Sequence, residues 1–201
     1  MSAAPAAAVQ KSIHECILWR GTFLPGHEAC RLFSQGSQRH LEGVALFSHE
    51  ELPCRLDYHI ACDEHWRTTS AEVNGWVGNT NIDMHLAVTP EQHWLLDGIE
   101  QPTLSGCSDL DLNFSPSTNL LPIRRLQLGI GEAAEVKAAW LRFPSLRLEP
   151  LEQKYTRLGE LTYRYESAGG KFTTQLKVDS AGFVIVYPEI WKSEATYANQ
   201  G

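Results

Sequence analysis

Leu161-Thr-Tyr-Arg-Tyr-Glu-Ser167, Ala168-Gly-Gly170, Phe172-Thr-Thr-Gln-Leu-Lys-Val178, Asp179-Ser-Ala-Gly182 and Phe183-Val-Ile-Val-Tyr187 follow one another with only Lys171 set between Gly170 and Phe172. Runs rich in β-branched and aromatic residues alternate at period two, and each gap holds the Gly, Ser and Asp residues that tight turns require. This stretch predicts an antiparallel meander. Outward from it, similar runs separated by turn chemistry occupy residues 15–22, 29–35, 39–48, 53–62, 66–76, 81–88, 93–97, 107–113, 126–128, 136–143, 145–158 and 160–167. Such spacing predicts one mainly β domain built on a large antiparallel sheet, which must curl or close to avoid long open edges. No repeat, low-complexity segment or linker divides it. The expected boundaries are a disordered tail at 1–11, one domain at 12–192 and a C-terminal tail at 193–201.

The 201 residues carry 17 Lys and Arg against 24 Asp and Glu, a net charge of -7. An acidic chain lacks the basic footprint that nucleic-acid backbones need. The imbalance is local: residues 1–100 hold 6 basic and 13 acidic side chains and all 8 histidines, whereas residues 101–201 hold 11 of each charge. No window is apolar for long enough to span a membrane as a helix, and the Ala-rich opening has neither the positive start nor the apolar stretch of an export signal. Five scattered cysteines without a Cys-x-x-Cys pair disfavour a disulfide framework, so a reducing cytoplasm is expected.

One segment breaks the β pattern. In Asn113-Phe-Ser-Pro-Ser-Thr-Asn-Leu-Leu-Pro-Ile-Arg-Arg125, Ser115 is a good N-cap, and Pro116 suits the first helical position. Pro122 should end that helix early by biasing Leu121 away from helical angles. A single short helix would then plug the curved sheet.

Just before it, strand alternation places Cys107, Asp109, Asp111 and Asn113 on one face and Leu110, Leu112 and Phe114 on the other. Two aspartates on one face suit hydroxyl recognition, a cation or acid–base work, although a plain solvent face has the same pattern. Arg124 and Arg125 follow closely, and either is able to neutralise an aspartate or to grip an anion bidentately. In the run 66–76 neither face is cleanly apolar, which suggests a lined cavity bearing Glu72, while Trp94 and Asp97 have the makings of an aromatic platform beside a carboxylate. His59-x-x-Cys62-x-x-His65 has metal-like spacing, but in a strand Cys62 points away from both histidines. Cys107 has no sequence-adjacent base or cation to lower its pKa. No nucleotide-binding or hydrolase motif is present, and no cofactor or metal is expected.

Taken as a set, Trp66-Arg-Thr-Thr-Ser-Ala-Glu-Val73, Leu96-Asp-Gly98, the block from Gly106 to Leu126, Ala139-Trp-Leu-Arg-Phe-Pro144, Pro150-Leu-Glu-Gln-Lys-Tyr-Thr-Arg-Leu158 and the closing Phe183-Val-Ile-Val-Tyr-Pro188 resemble the bacterial glycolipid-binding family. The resemblance covers about residues 12–192. It implies a long antiparallel sheet wrapped around one helix, remotely like the carriers that shuttle lipoproteins, a homodimer, and an acidic pocket for a sugar or lipid headgroup. No catalytic residue is carried over. The chain departs from those carriers in showing no export signal.

Combining residues and resemblance, Asp109, Asp111 and Asn113 are expected to form an acidic pocket floor. Glu72, Asp97, Thr118 and Asn119 are the next candidates, Arg124, Arg125 and Tyr155 support them, and the sheet's inner face holds an acyl tail. Two alternatives remain open: a hydrolase acting on a sugar or lipid ester through an Asp pair, and a structural or partner-binding β protein without a ligand.

Overall fold

The computed structural model describes residues 11–199, so the expected N-terminal tail lies, except for Lys11, outside the described residues. A first arm consists of β1 (Ser12–Gly21), β2 (Gly26–Gln35), β3 (Gln38–His49), β4 (Leu52–Cys62), β5 (Thr68–Val77), β6 (Thr80–Val88), β7 (Trp94–Leu96) and β8 (Ile99–Glu100). After β9 (Asp109–Leu112) and α1 (Leu120–Leu126) comes a second arm of β10 (Ala133–Arg142), β11 (Arg147–Gly159), β12 (Thr162–Ser167), β13 (Phe172–Val178), β14 (Val184–Tyr187) and β15 (Trp191–Ala198). The meander expected at 161–187 is β12–β13–β14. All strands join one sheet in the order β8-β7-β6-β5-β4-β3-β2-β1-β15-β14-β13-β12-β11-β10-β9. Antiparallel pairing of β1 with β15 welds the two arms, so residues read as a C-terminal tail continue as a strand to Ala198. The sequence underplays β15 because its outer half is exposed on both faces.

One pairing differs. β9 runs parallel to β10, Asp109 opposite Ala138 and Leu112 opposite Leu141. A parallel pair needs a crossover connection, and α1 is that crossover. Its approach is Ser115-Pro116 and a single 3-10 turn at Ser117–Asn119. Pro122 does not end the helix: it occupies the third residue of α1, where its missing N–H lies among those without an intrahelical acceptor. The helix stops instead at Gln127, which turns to the left-handed region at φ 47°, so no strand forms at 126–128.

α1 wedges between two apolar clusters. Leu120 and Leu121 join the larger one, with Trp19, Leu56, Val73, Leu110 and Phe114, while Ile123 joins the smaller one, with Tyr155, Tyr163, Tyr165 and Leu176. The inner face of the first arm is therefore filled by its own side chains and by the crossover, and an acyl tail does not belong there. The polar inner face expected at 66–76 is corrected as well. A register shift between Ala61 and Cys62 leaves Thr69 as an extra residue, so Ala71 and Val73 face inward and Glu72 outward.

A buried carboxyl anchors the crossover to the sheet. Glu28 is completely buried, and its Oε1 accepts hydrogen bonds from Tyr58 Oη and Ser115 Oγ, both at 2.6 Å. Tyr58 reaches it by lying across Gly43, where a Cβ would come within 2.4 Å of the phenol oxygen. Burial pushes Glu28 up to about 8 from an ordinary value of 4.5. The folded chain thus keeps a proton that the unfolded chain releases, and stability falls as pH rises from about 4.5 toward 8. Glu28→Gln should remove this slope: its melting temperature relative to the parent rises steadily between pH 5 and pH 8 in thermal denaturation by circular dichroism.

Candidate functional site

β9 is an edge strand whose backbone N–H groups point alternately toward β10 and away from it. On the open side Leu110 N–H donates to Thr68 Oγ1 at 3.0 Å and Leu112 N–H to Thr118 Oγ1 at 3.2 Å, so threonine hydroxyls stand in for a further strand. That pairing sets the facing of the acidic stretch. Leu110 and Leu112 enter the larger core, and Asp109 and Asp111 turn toward the smaller, tyrosine-rich cluster.

Each aspartate is held by polar side chains. Asp109, 1% exposed, receives Arg125 Nε at 3.1 Å, the Arg125 Nη2 group as a second contact, and Ser108 Oγ at 3.1 Å. Burial pushes its carboxyl upward, against the pull of the Arg125 guanidinium. Asp111 Oδ2 accepts Gln153 Nε2 at 2.5 Å, and the same nitrogen donates to Tyr165 Oη at 3.0 Å. Here burial raises the carboxyl to about 6, opposed by the Gln153 hydrogen bond and helped by the charge of Asp109.

Arg125 and Gln153 both open onto one cavity of about 650 Å³ between the β9–α1 crossover and β10–β12. Ser108 and Ser167 complete its wall, with Glu135, Lys137, Glu152, Lys154 and Glu166 around them and the Gly169-Gly170 turn at one side. The expected acidic floor is not what lines this cavity: Arg125 and Gln153 face the space, Asp109 is buried against Arg125, and Asp111 is half-buried against Gln153. A larger groove, about 860 Å³, lies on the outer face of β1–β4 and β15, but its charged side chains are engaged with one another, Arg31 and Lys11 both on Glu42.

The other candidates lie outside the wall of this cavity. Asn113 is exposed, and its Oδ1 accepts Phe143 N–H at 3.1 Å, tying the end of β9 to the end of β10. Thr118 caps Leu112 as described. Tyr155, 1% exposed, donates its phenol hydrogen to Asn119 Oδ1 at 2.9 Å and so clamps the start of α1 to β11. Arg124 lies 5.2 Å from the Trp66 ring centre. Glu72 is exposed and sits opposite His59 and His85 on neighbouring strands. Asp97, at φ 49°, accepts His85 N–H at 2.9 Å within a turn. Trp94 is no platform, being 1% exposed with its indole N–H on Cys107 O. Burial raises the Cys107 thiol to about 11, which leaves it protonated at neutral pH. Among the described residues no group of three His, Cys, Asp or Glu side chains is arranged to hold a metal ion, and no helix is long and apolar enough to cross a membrane.

Gln153 escaped the sequence reading. It sits in a strand of mixed polarity, Glu-Gln-Lys, where alternation puts it on the face of Tyr155 and cross-strand pairing with Val136 and Ser167 carries that face to the cavity.

Fold and cavity define a single-helix, open-sheet β protein with a polar recess, and comparison with known proteins places that class. A family model described as "Putative glycolipid-binding" matches residues 16–193, and the chain belongs to that family. The crystal structure of a DUF1089 family protein from Pseudomonas aeruginosa is similar, with a TM-score of 0.72 and 35% identity over 82% of this chain and 90% of that one. No curated protein matches the chain.

The buried ion pair gives a stability test. Asp109→Asn leaves Arg125 without its counter-charge and should cost about 3 kcal/mol or more, whereas Asn113→Ala at the exposed strand end costs less than about 1 kcal/mol. Urea denaturation of the two variants measures the difference.

Proposed function

We propose that the cavity receives the polyhydroxylated headgroup of a glycolipid and that the protein acts in glycolipid metabolism as a binding protein. One observation carries this: two aspartates, Asp109 buried and Asp111 half-buried, each fix a polar side chain, Arg125 and Gln153, and both of those side chains line the same cavity. Apolar residues of similar volume would stabilise the fold as well as these desolvated carboxylates do. Fixed polar groups converging on a recess suit recognition of hydroxyls, and the family to which the chain belongs carries the glycolipid-binding name. A homodimer and a cytoplasmic location belong to the same proposal; light scattering on the purified protein and cell fractionation test them. No observation favours hydrolysis, since Asp109 is closed by Arg125 and Ser108 and Asp111 is turned to Gln153.

A native mass spectrum of the purified protein should retain a sugar-bearing lipid. Ligand retention should weaken as pH falls through about 6, where Asp111 takes up a proton and loosens its hold on Gln153. Asp111→Asn should fold, bind several-fold more weakly at neutral pH, and lose that pH dependence. A protein free of sugar and lipid, and indifferent to added glycolipid, would rule the proposal out.

A further inference from the structure

Gln153 is 4% exposed on β11, and both hydrogens of its amide nitrogen are engaged, one by Asp111 and one by Tyr165. The direction of that amide is forced. An ionised carboxylate only accepts hydrogen bonds, so the nitrogen must turn toward Asp111 and the oxygen away from it. Oε1 has no protein partner among the described residues, is not sealed in the interior, and belongs to a side chain that lines the cavity. A carbonyl oxygen held in this way at a cavity wall is an acceptor available to a donor.

The surrounding charge points the same way. Arg125 is balanced by Asp109, and Lys137 Nζ is turned to Ser105 O at 2.8 Å. Glu166 is paired with Arg164 at 3.2 Å, and Glu135 and Glu152 stand opposite Lys154 and Lys137 across β10–β11, so the wall offers no uncompensated cation. An anionic ligand would bring oxygen lone pairs against Gln153 Oε1 with no free cation in the wall to hold it.

Resting on the headgroup reading above, we propose that Gln153 is the specificity-determining residue of the cavity and that it selects a hydrogen-bond donor, the hydroxyl of a neutral sugar or the ammonium of an amino sugar, over phosphorylated or acidic sugars. A site built to hydrogen-bond a donor rejects a ligand lacking it more strongly than an apolar pocket rejects a wrong shape.

Titration of the full chain with methyl glucoside, methyl glucosaminide and glucose 1-phosphate, followed by ligand-observed NMR, tests the assignment. The two uncharged or cationic probes should bind at least tenfold more tightly than the phosphate. Gln153→Met should reduce their binding tenfold or more, and Tyr165→Phe, which leaves Asp111 to orient the amide, should keep the preference. Tighter or equal binding of the phosphate, or unchanged binding by a Gln153→Met protein of normal melting temperature, would overturn the role of Gln153 while the headgroup reading stands. Should Gln153→Met not fold, the preference of the parent chain alone decides. Binding of none of the three, together with a native mass spectrum free of sugar, would overturn the underlying reading itself.

Discussion

A strand with a neighbour on only one side sets the rest of this structure. β9 lies parallel to β10 at one end of the sheet, and every backbone group on its open side must find a partner elsewhere. The hydroxyls of Thr68 and Thr118 supply those partners, one from the first arm and one from the approach to α1. The sheet is thereby drawn round until its first arm touches its last strand, without closing into a barrel. A parallel neighbour also demands a crossover, which accounts for the single helix in an otherwise meandering chain.

The same strand creates the site. Its alternation sends two leucines into the larger core and two aspartates toward a smaller cluster rich in tyrosines. Carboxylates facing such surroundings are desolvated and need donors, and the nearest are Arg125 from the crossover and Gln153 from β11. Each donor is left with atoms pointing outward into a shared recess. Core packing and the lining of the cavity are therefore coupled through the aspartates, which touch the interior on one side and orient Arg125 and Gln153 on the other. Glu28 plays a comparable part deeper in the fold, a buried carboxyl that holds the crossover by hydrogen bonds instead of charge.

The family relationship fits this division. The match spans residues 16–193, from within β1 to within β15, so it takes in part of each of the two strands that weld the arms. The likeness to the DUF1089 protein extends over most of both chains.

Period-two alternation and turn chemistry were enough to read a β meander, one domain, a lone helix and the opposed faces of Asp109-Leu-Asp-Leu112, because these depend on neighbours along the chain. Errors arose where local pattern met a distant partner. Pro122 reads as a helix terminator until the turn before it places it among the first helical residues, and Glu72 reads as inward-facing until the bulge at Thr69 reverses the parity. Asn113, Thr118 and Asn119 read as ligand groups, yet each is taken by a backbone or side-chain partner far away in sequence or across the crossover. Gln153 shares a face with Tyr155 by alternation, but nothing local marks that face as lining a cavity. Types, faces and turns are written in short-range sterics and hydrophobic alternation; which polar atoms remain unpaired and face a common cavity emerges only once cross-strand register and the β9–α1–β10 crossover have assigned every other hydrogen bond.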